Sequence, residues 1–301
     1  MILNETKQHT LRGVLCTTLG GVCWGFSGTC GQYLFSNFGI DSLWLTCVRL
    51  LTSGILLLTI AFWKHGKSVC RIWTVPKDAF QLVCYGIFGL LLCQYSYMTA
   101  ISWSNAATTT VLQNLSLVLI MLFACVNGRR LPVRREVIAL LLAVLGTWII
   151  ATGFDPRHMV LSHQGLFWGL MTAVAVAVYS ILPRKLLPRW GKEAVTGWGM
   201  LVGGIVVNLA AHSWNYHVEL PVQGWLAMAS VILLGSVLAF TLFMQGVADV
   251  GPVRSAMLAA TEPVAATVFS ALWLHTQFTA LDLLGFACII TTIFLLAKDG
   301  N

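Results

Sequence analysis

Charge is what this sequence has least of. Only 10% of its 301 residues are Asp, Glu, Lys or Arg, against roughly a quarter in an ordinary soluble domain. With 57% hydrophobic residues, a surface that water would dissolve cannot be built. Acids are scarcer than bases, 11 against 18, giving a formal net charge of +7. The side-chain sets of an enzyme are missing as well. No Ser-His-Asp set, phosphate loop or paired carboxylates can be assembled, and no spacing of His, Cys and acids suggests a metal. A membrane-embedded enzyme is therefore disfavoured, and no cofactor is expected. The nine cysteines are an odd number, and Cys16, Cys23, Cys84, Cys93, Cys125 and Cys288 lie inside apolar stretches. They read as small hydrophobes, not as a disulfide framework.

What the sequence has instead is apolar runs of about 18 to 25 residues, the length that crosses a bilayer as helix. Ten can be marked, at about 13–35, 42–63, 79–100, 105–126, 134–152, 164–183, 194–212, 223–248, 253–273 and 280–297. The short connections leave no room for a separate soluble domain. Fifteen of the 18 basic residues fall on one side of these runs, among them Lys7, Arg12, Lys64, Arg129, Arg134 and Lys298. The other side holds only Arg157, while Arg49 and Arg254 lie within runs. By the positive-inside rule both termini are expected in the cytoplasm, with an uncleaved first span. Basic residues placed this way speak for membrane topology and against a nucleic-acid partner. Trp44, Trp63, Trp73, Trp103 and Trp273 stand near run ends, as interfacial tryptophans do.

The chain also repeats itself. A shift of about 144 to 146 residues lays Trp24-Gly25 over Trp168-Gly169, Tyr33 over Tyr179, and SNAATTTVLQNLSLVL over VGPVRSAMLAATEPVA. Five runs per half is an odd number, so the second half enters the membrane from the opposite side and the repeat is inverted.

The run FWGLMTAVAVAVYSILPRKL, the Arg49-Leu50 pair, and YMTAISWSNAATTTVLQNLSLVL with its echo FMQGVADVGPVRSAMLAATEPVAATVF resemble the drug/metabolite transporter superfamily, in its EamA-type ten-helix branch. The resemblance implies an all-α polytopic membrane protein of ten transmembrane helices, arranged as two inverted five-helix repeats at 1–152 and 160–301. It implies a secondary active transporter of the inner (plasma) membrane, working as a monomer or homodimer. Its cargo would be a small amphiphilic metabolite, an amino acid or an organic cation, exported by alternating access. Import or facilitative uniport of a quaternary amine fits the same scaffold, and a passive channel fits less well because the polar residues are scattered. Two departures stand out. Arg129-Arg130 and His275-Thr276 replace a glutamate that many members carry after the fourth and ninth spans, and Leu117 replaces a proline of the fourth span. The first half is thus expected to have lost a helix break that Pro263 keeps in the second.

Candidate site residues follow from polarity at depth. Glu262, the one acid deep in an apolar run, can line a central cavity and bind a cation or a proton, coupling transport to the proton gradient. It can equally repair the helix that Pro263 interrupts. Arg49 can pair with Glu262, hold a substrate carboxylate, or reach toward headgroups. Trp24 and Trp168, at matching repeat positions, are candidate aromatic walls with Tyr179, and Tyr95 and Tyr97 lie nearby. Gln94, Asn114 and Gln245 should face protein or a cavity. By the resemblance, the first, third, fourth, sixth, eighth and ninth spans line that cavity.

Overall fold

The computed structural model describes residues 2–155 and 159–297; Arg157 and Lys298 lie outside the described residues. Among the described residues every regular element is helical and none is a strand. The principal helices are α1 (Ile2–Phe38), α2 (Ser42–His65), α3 (Pro76–Trp103) and α4 (Ala106–Asn127), α5 (Arg134–Thr152) and α6 (His163–Ile181). Then come α7 (Lys192–Ala211), α8 (Val222–Val250), α9 in two pieces (Pro252–Leu258 and Thr261–Trp273) and α10 (Ala280–Ala297).

Among the described residues, seven segments, those of α2 to α8, are long and apolar enough to cross a membrane. The helix α9 is divided, and the apolar part of α10, Ala280–Leu296, is shorter. Boundaries are set by local chemistry. Asp41 accepts from the amides of Leu43 and Trp44 at 2.7 and 3.1 Å, starting α2, and Asn105 and Ser162 do the same for α4 and α6. Gly66 and Gly153, both at φ 58°, end α2 and α5. Hydroxyls inside helices, such as Thr172 and Thr267, donate to the carbonyl one turn back, which leaves few free polar groups facing outward. The outer surface carries exposed apolar side chains, including Leu141, Leu209, Leu226 and Leu272. A shell of that kind suits lipid, not water. Trp63 and Trp103 are exposed near helix ends as interfacial residues should be, whereas Trp44 is buried in the core.

Helix packing pairs the two halves. The helix α2 lies along α7 and α5 along α10; α1 packs on α8 and α9, while α6 packs on α3 and α4. Close approach, the main source of helix adhesion in lipid, is visible where α1 meets α9. A Cβ at Gly25 would fall 2.6 Å from the Glu262 carbonyl oxygen and 2.7 Å from the Ala266 nitrogen. Ion pairs gather at the end of the bundle where most Lys and Arg lie. Arg12 grips Asp249 at 2.7 and 2.8 Å, Lys64 meets Glu193 at 3.0 Å, and Arg189 meets Asp78 at 2.7 Å. At the opposite end Gln32 of α1 ties two other helices together. Its oxygen accepts from the Ala106 amide (2.9 Å) and the Ser270 hydroxyl (3.2 Å), and its nitrogen donates to Thr276 just past α9 (3.0 Å).

Both halves carry a broken helix, which corrects the expectation from Leu117. The helix α4 is interrupted at Asn114 and Leu115, α9 at Ala259 and Ala260. Proline is not needed in the first case. The Asn114 amide side chain donates to the Thr110 carbonyl at 2.9 Å, taking the acceptor that its own backbone N–H would use in an α-helix. That N–H turns to Val111 at 3.1 Å, and Leu115 and Leu117 also bond three residues back. In α9, Glu262 N–H bonds to Ala259 at 2.9 Å, and Pro263 follows with no N–H at all. A second feature is shared. The α3 and α8 helices each contain a π-helical turn, Tyr85–Leu91 and Leu233–Leu238.

Candidate functional site

The broken helices and the π turns surround one cavity of about 130 Å³. Its walls come from α1 (Trp24, Ser27), α2 (Arg49), α3, α4 (Gln113), α6 (Val176, Tyr179), α7, α8 (Gly235, Ser236, Phe240) and α9 (Glu262). Tyr179 and Thr196 sit near the basic ends of their helices, so the lining reaches furthest toward that end.

Arg49 is 5% exposed, and its guanidinium lies over the π turn of α8. Nε donates to the Ser236 hydroxyl at 3.0 Å, while Nη1 is buried with no partner. A π turn adds one residue to the helical register, and here it turns Gly235 and Ser236 toward α1 and α2. Gly235 is required because a side chain there would collide with Ser27. Glu262 opens the second piece of α9. Its half-buried carboxylate lines the cavity and makes no hydrogen bond or ion pair with any described residue. The sequence left open a direct Arg49–Glu262 pair; the two share the cavity but do not form one. The side-chain amides of Gln94 and Gln113 also face it without a described partner, and the Thr196 hydroxyl is buried and unpaired. Tyr97 is anchored through its hydroxyl to Thr110 at 3.0 Å.

Of the residues singled out from sequence, Trp24, Arg49, Gln94, Tyr179 and Glu262 therefore meet around one space. Asn114, Trp168 and Gln245 lie elsewhere. Asn114 is occupied with the break in α4, and its neighbour Gln113 takes the cavity side. Trp168 stacks edge-on against Tyr95 at 5.2 Å. It stands about 16 Å along α6 from Tyr179, at ~1.5 Å per residue, so the repeat partner of Trp24 is at the wrong height to face it across the cavity. Gln245 donates to both Asp249 oxygens at 3.1 Å, joining the Arg12 ion pair. Sequence reasoning missed Ser27, Tyr85, Cys93, Thr196 and Ser236. For Ser236 a signal existed, since a Gly-Ser pair inside an apolar helix is a known source of kinks.

Comparison with known proteins agrees with a membrane transporter. A model of the EamA-like transporter family matches residues 11–152 and 163–298. The chain is 32% identical to an uncharacterized inner membrane transporter, YicL, of Salmonella typhimurium, over 97% of both proteins. It is 25% identical to the uncharacterized transporter YetK of Bacillus subtilis, over 82% of this chain and 76% of the relative. A solved crystal structure superposes with a TM-score of 0.64 at 18% identity, covering 96% of each chain, which bears on the fold alone.

Proposed function

Because the chain belongs to the EamA-like transporter family and is a multi-pass membrane transporter, we propose that it exports a small amphiphilic metabolite by alternating access around the cavity just described. One observation carries this reading. Eight helices converge on a space with unengaged polar groups, at the point where two helices are broken and two make π turns. Transporters commonly bind cargo where helices are discontinuous, because freed backbone and buried polar groups become available there without exposure to lipid.

The reading includes ten membrane crossings in two inverted repeats. Adding 146 to the first π turn, 85–91, gives 231–237, beside the observed 233–238. Adding it to the first break, 114–115, gives 260–261, beside the observed 259–260. Packing follows the same exchange: α1 with α8 and α9 answers α6 with α3 and α4, and α2–α7 and α5–α10 are self-paired. Placing both termini in the cytoplasm puts the ion-paired, basic end inside. The cavity then reaches furthest toward the cytoplasm, where an exporter collects its cargo. Glu262, free of protein partners, is the group that would exchange cargo for a proton.

Counterflow in proteoliposomes tests the carrier reading. Labelled substrate should accumulate transiently against an excess of unlabelled substrate inside. Flux that saturates in neither direction, with ohmic current, would instead identify a channel.

A further inference from the structure

Of the two basic residues within apolar runs, Arg49 lines the central cavity and Arg254 does not. Arg254 stands in the first piece of α9, exposed, and makes no hydrogen bond or ion pair with any described residue. Beside it lies a groove of about 310 Å³, whose walls include Val14 of α1, Val250 of α8, Met257 of α9 and Phe294 of α10. We propose that this groove holds one anionic phospholipid, with its phosphate on Arg254 and an acyl chain along the apolar walls. The proposal is independent of what the central cavity carries.

The groove follows from the way three helices meet. The helices α1 and α10 both pack on the first piece of α9 without packing along each other, which leaves a gap between them with α9 as its floor. The gap is open on the lipid side: Leu11 and Leu15, beside Val14 on α1, are exposed, as is Phe294 on α10. An apolar gap that faces hydrocarbon takes up an acyl chain, because left unfilled it would cost both walls their packing contacts.

Charge decides which lipid. Of the described residues that line the groove, only Arg254 is charged. Arg12, close by on α1, is held by Asp249 at 2.7 and 2.8 Å, so that pair is neutral and Arg254 is left as the unbalanced cation. It lies at the end of the bundle where ion pairs mark the water boundary, which puts its guanidinium at headgroup depth above the apolar walls. A phosphodiester offers that planar fork two acceptor oxygens. A zwitterionic lipid would bring a second cation to the same place, and a free phosphate would leave the apolar walls bare. Leu258 is followed directly by the break at Ala259 and Ala260, so a lipid in the groove holds the first piece of α9 just before Glu262.

Native mass spectrometry of the purified full-length protein counts bound lipids and subunits together. Phosphatidylglycerol, phosphatidylcholine with the same acyl chains, and glycerol 3-phosphate are titrated separately. The wild type should bind one phosphatidylglycerol with an affinity roughly fivefold or more above that for phosphatidylcholine, the size expected of one basic residue at a headgroup. Glycerol 3-phosphate at the same concentration should not bind. Arg254→Gln should bring phosphatidylglycerol down to the level of phosphatidylcholine, and Met257→Trp, which fills the groove, should weaken both lipids. Arg71→Gln, which removes an exposed basic residue elsewhere at that end, should leave the preference intact. Equal affinity for the two lipids overturns the proposal, as does a preference that survives Arg254→Gln or falls as far in Arg71→Gln. Glycerol 3-phosphate binding as tightly as the lipid would reduce the site to an anion site and overturn it too. So would a dimer that excludes lipid and is lost in Arg254→Gln, since a second copy of the chain would then cover the groove.

Discussion

The two halves of the chain each hold a π turn and a broken helix, and they differ in what they bring to the cavity. In the first, α4 breaks because the Asn114 side chain competes for a backbone carbonyl, and Gln113 beside it offers the cavity a neutral amide. In the second, α9 breaks next to Pro263, and Glu262 offers a carboxylate. Geometry is thus kept by two unrelated devices while charge is confined to one side. A helix break is a backbone requirement that several side chains can meet, so it tolerates change; a charge facing cargo has few substitutes. The aligned glycines differ in the same way. A Cβ at Gly25 would meet backbone atoms of α9, whereas one at Gly169 would meet the Leu112 Cδ1 at 2.6 Å, the movable end of a side chain.

That last contrast yields the largest expected effect. Gly25→Ala should destabilise the protein by about 3 kcal/mol, the upper end of overpacking, because α1 must leave α9; monodispersity on size exclusion and melting temperature would record it. Gly169→Ala should cost about 1 kcal/mol or less, since Leu112 can change rotamer. Equal effects of the two would break the comparison. Next in size is Asn114→Leu, which removes the hydrogen bond to Thr110. A loss of about 1 kcal/mol is expected, with transport reduced as α4 regains a straight course; an unchanged melting temperature would mean that the break does not depend on Asn114. The smallest effect is expected at the basic end. Glu193→Gln removes the partly exposed ion pair with Lys64, and the melting temperature should fall by less than about 2 °C. The difference from wild type should vanish at high salt. A large, salt-independent loss would show that the Lys64–Glu193 contact holds α2 to α7.

Much of the helical, membrane-embedded fold was legible because helices in lipid are announced by long apolar runs. Local devices were less so. The π turns leave no residue signature beyond the Gly-Ser pair of α8, and the break in α4 has no proline to announce it, only an asparagine that competes for a backbone carbonyl. Within the site, Arg49 and Glu262 were legible from the cost of charge at depth. Trp168 was not well placed by the repeat, because alignment of sequence gives the equivalent residue without giving its height along the helix. Gln245 was polar in an apolar run for a reason unrelated to cargo: it completes the hydrogen bonding of Asp249.

The central claim is that the acidic anchor of the second half does the coupling work that its neutral counterpart in the first half cannot. Glu262→Gln measures it most directly, in proteoliposomes loaded with a substrate that the wild type carries in counterflow. Accumulation driven by a proton gradient should be lost, while counterflow with no gradient persists at reduced affinity, because the neutral amide keeps the shape of the cavity but cannot exchange a proton. Full gradient-driven accumulation by Glu262→Gln would contradict the account and leave Glu262 a structural part of the broken helix.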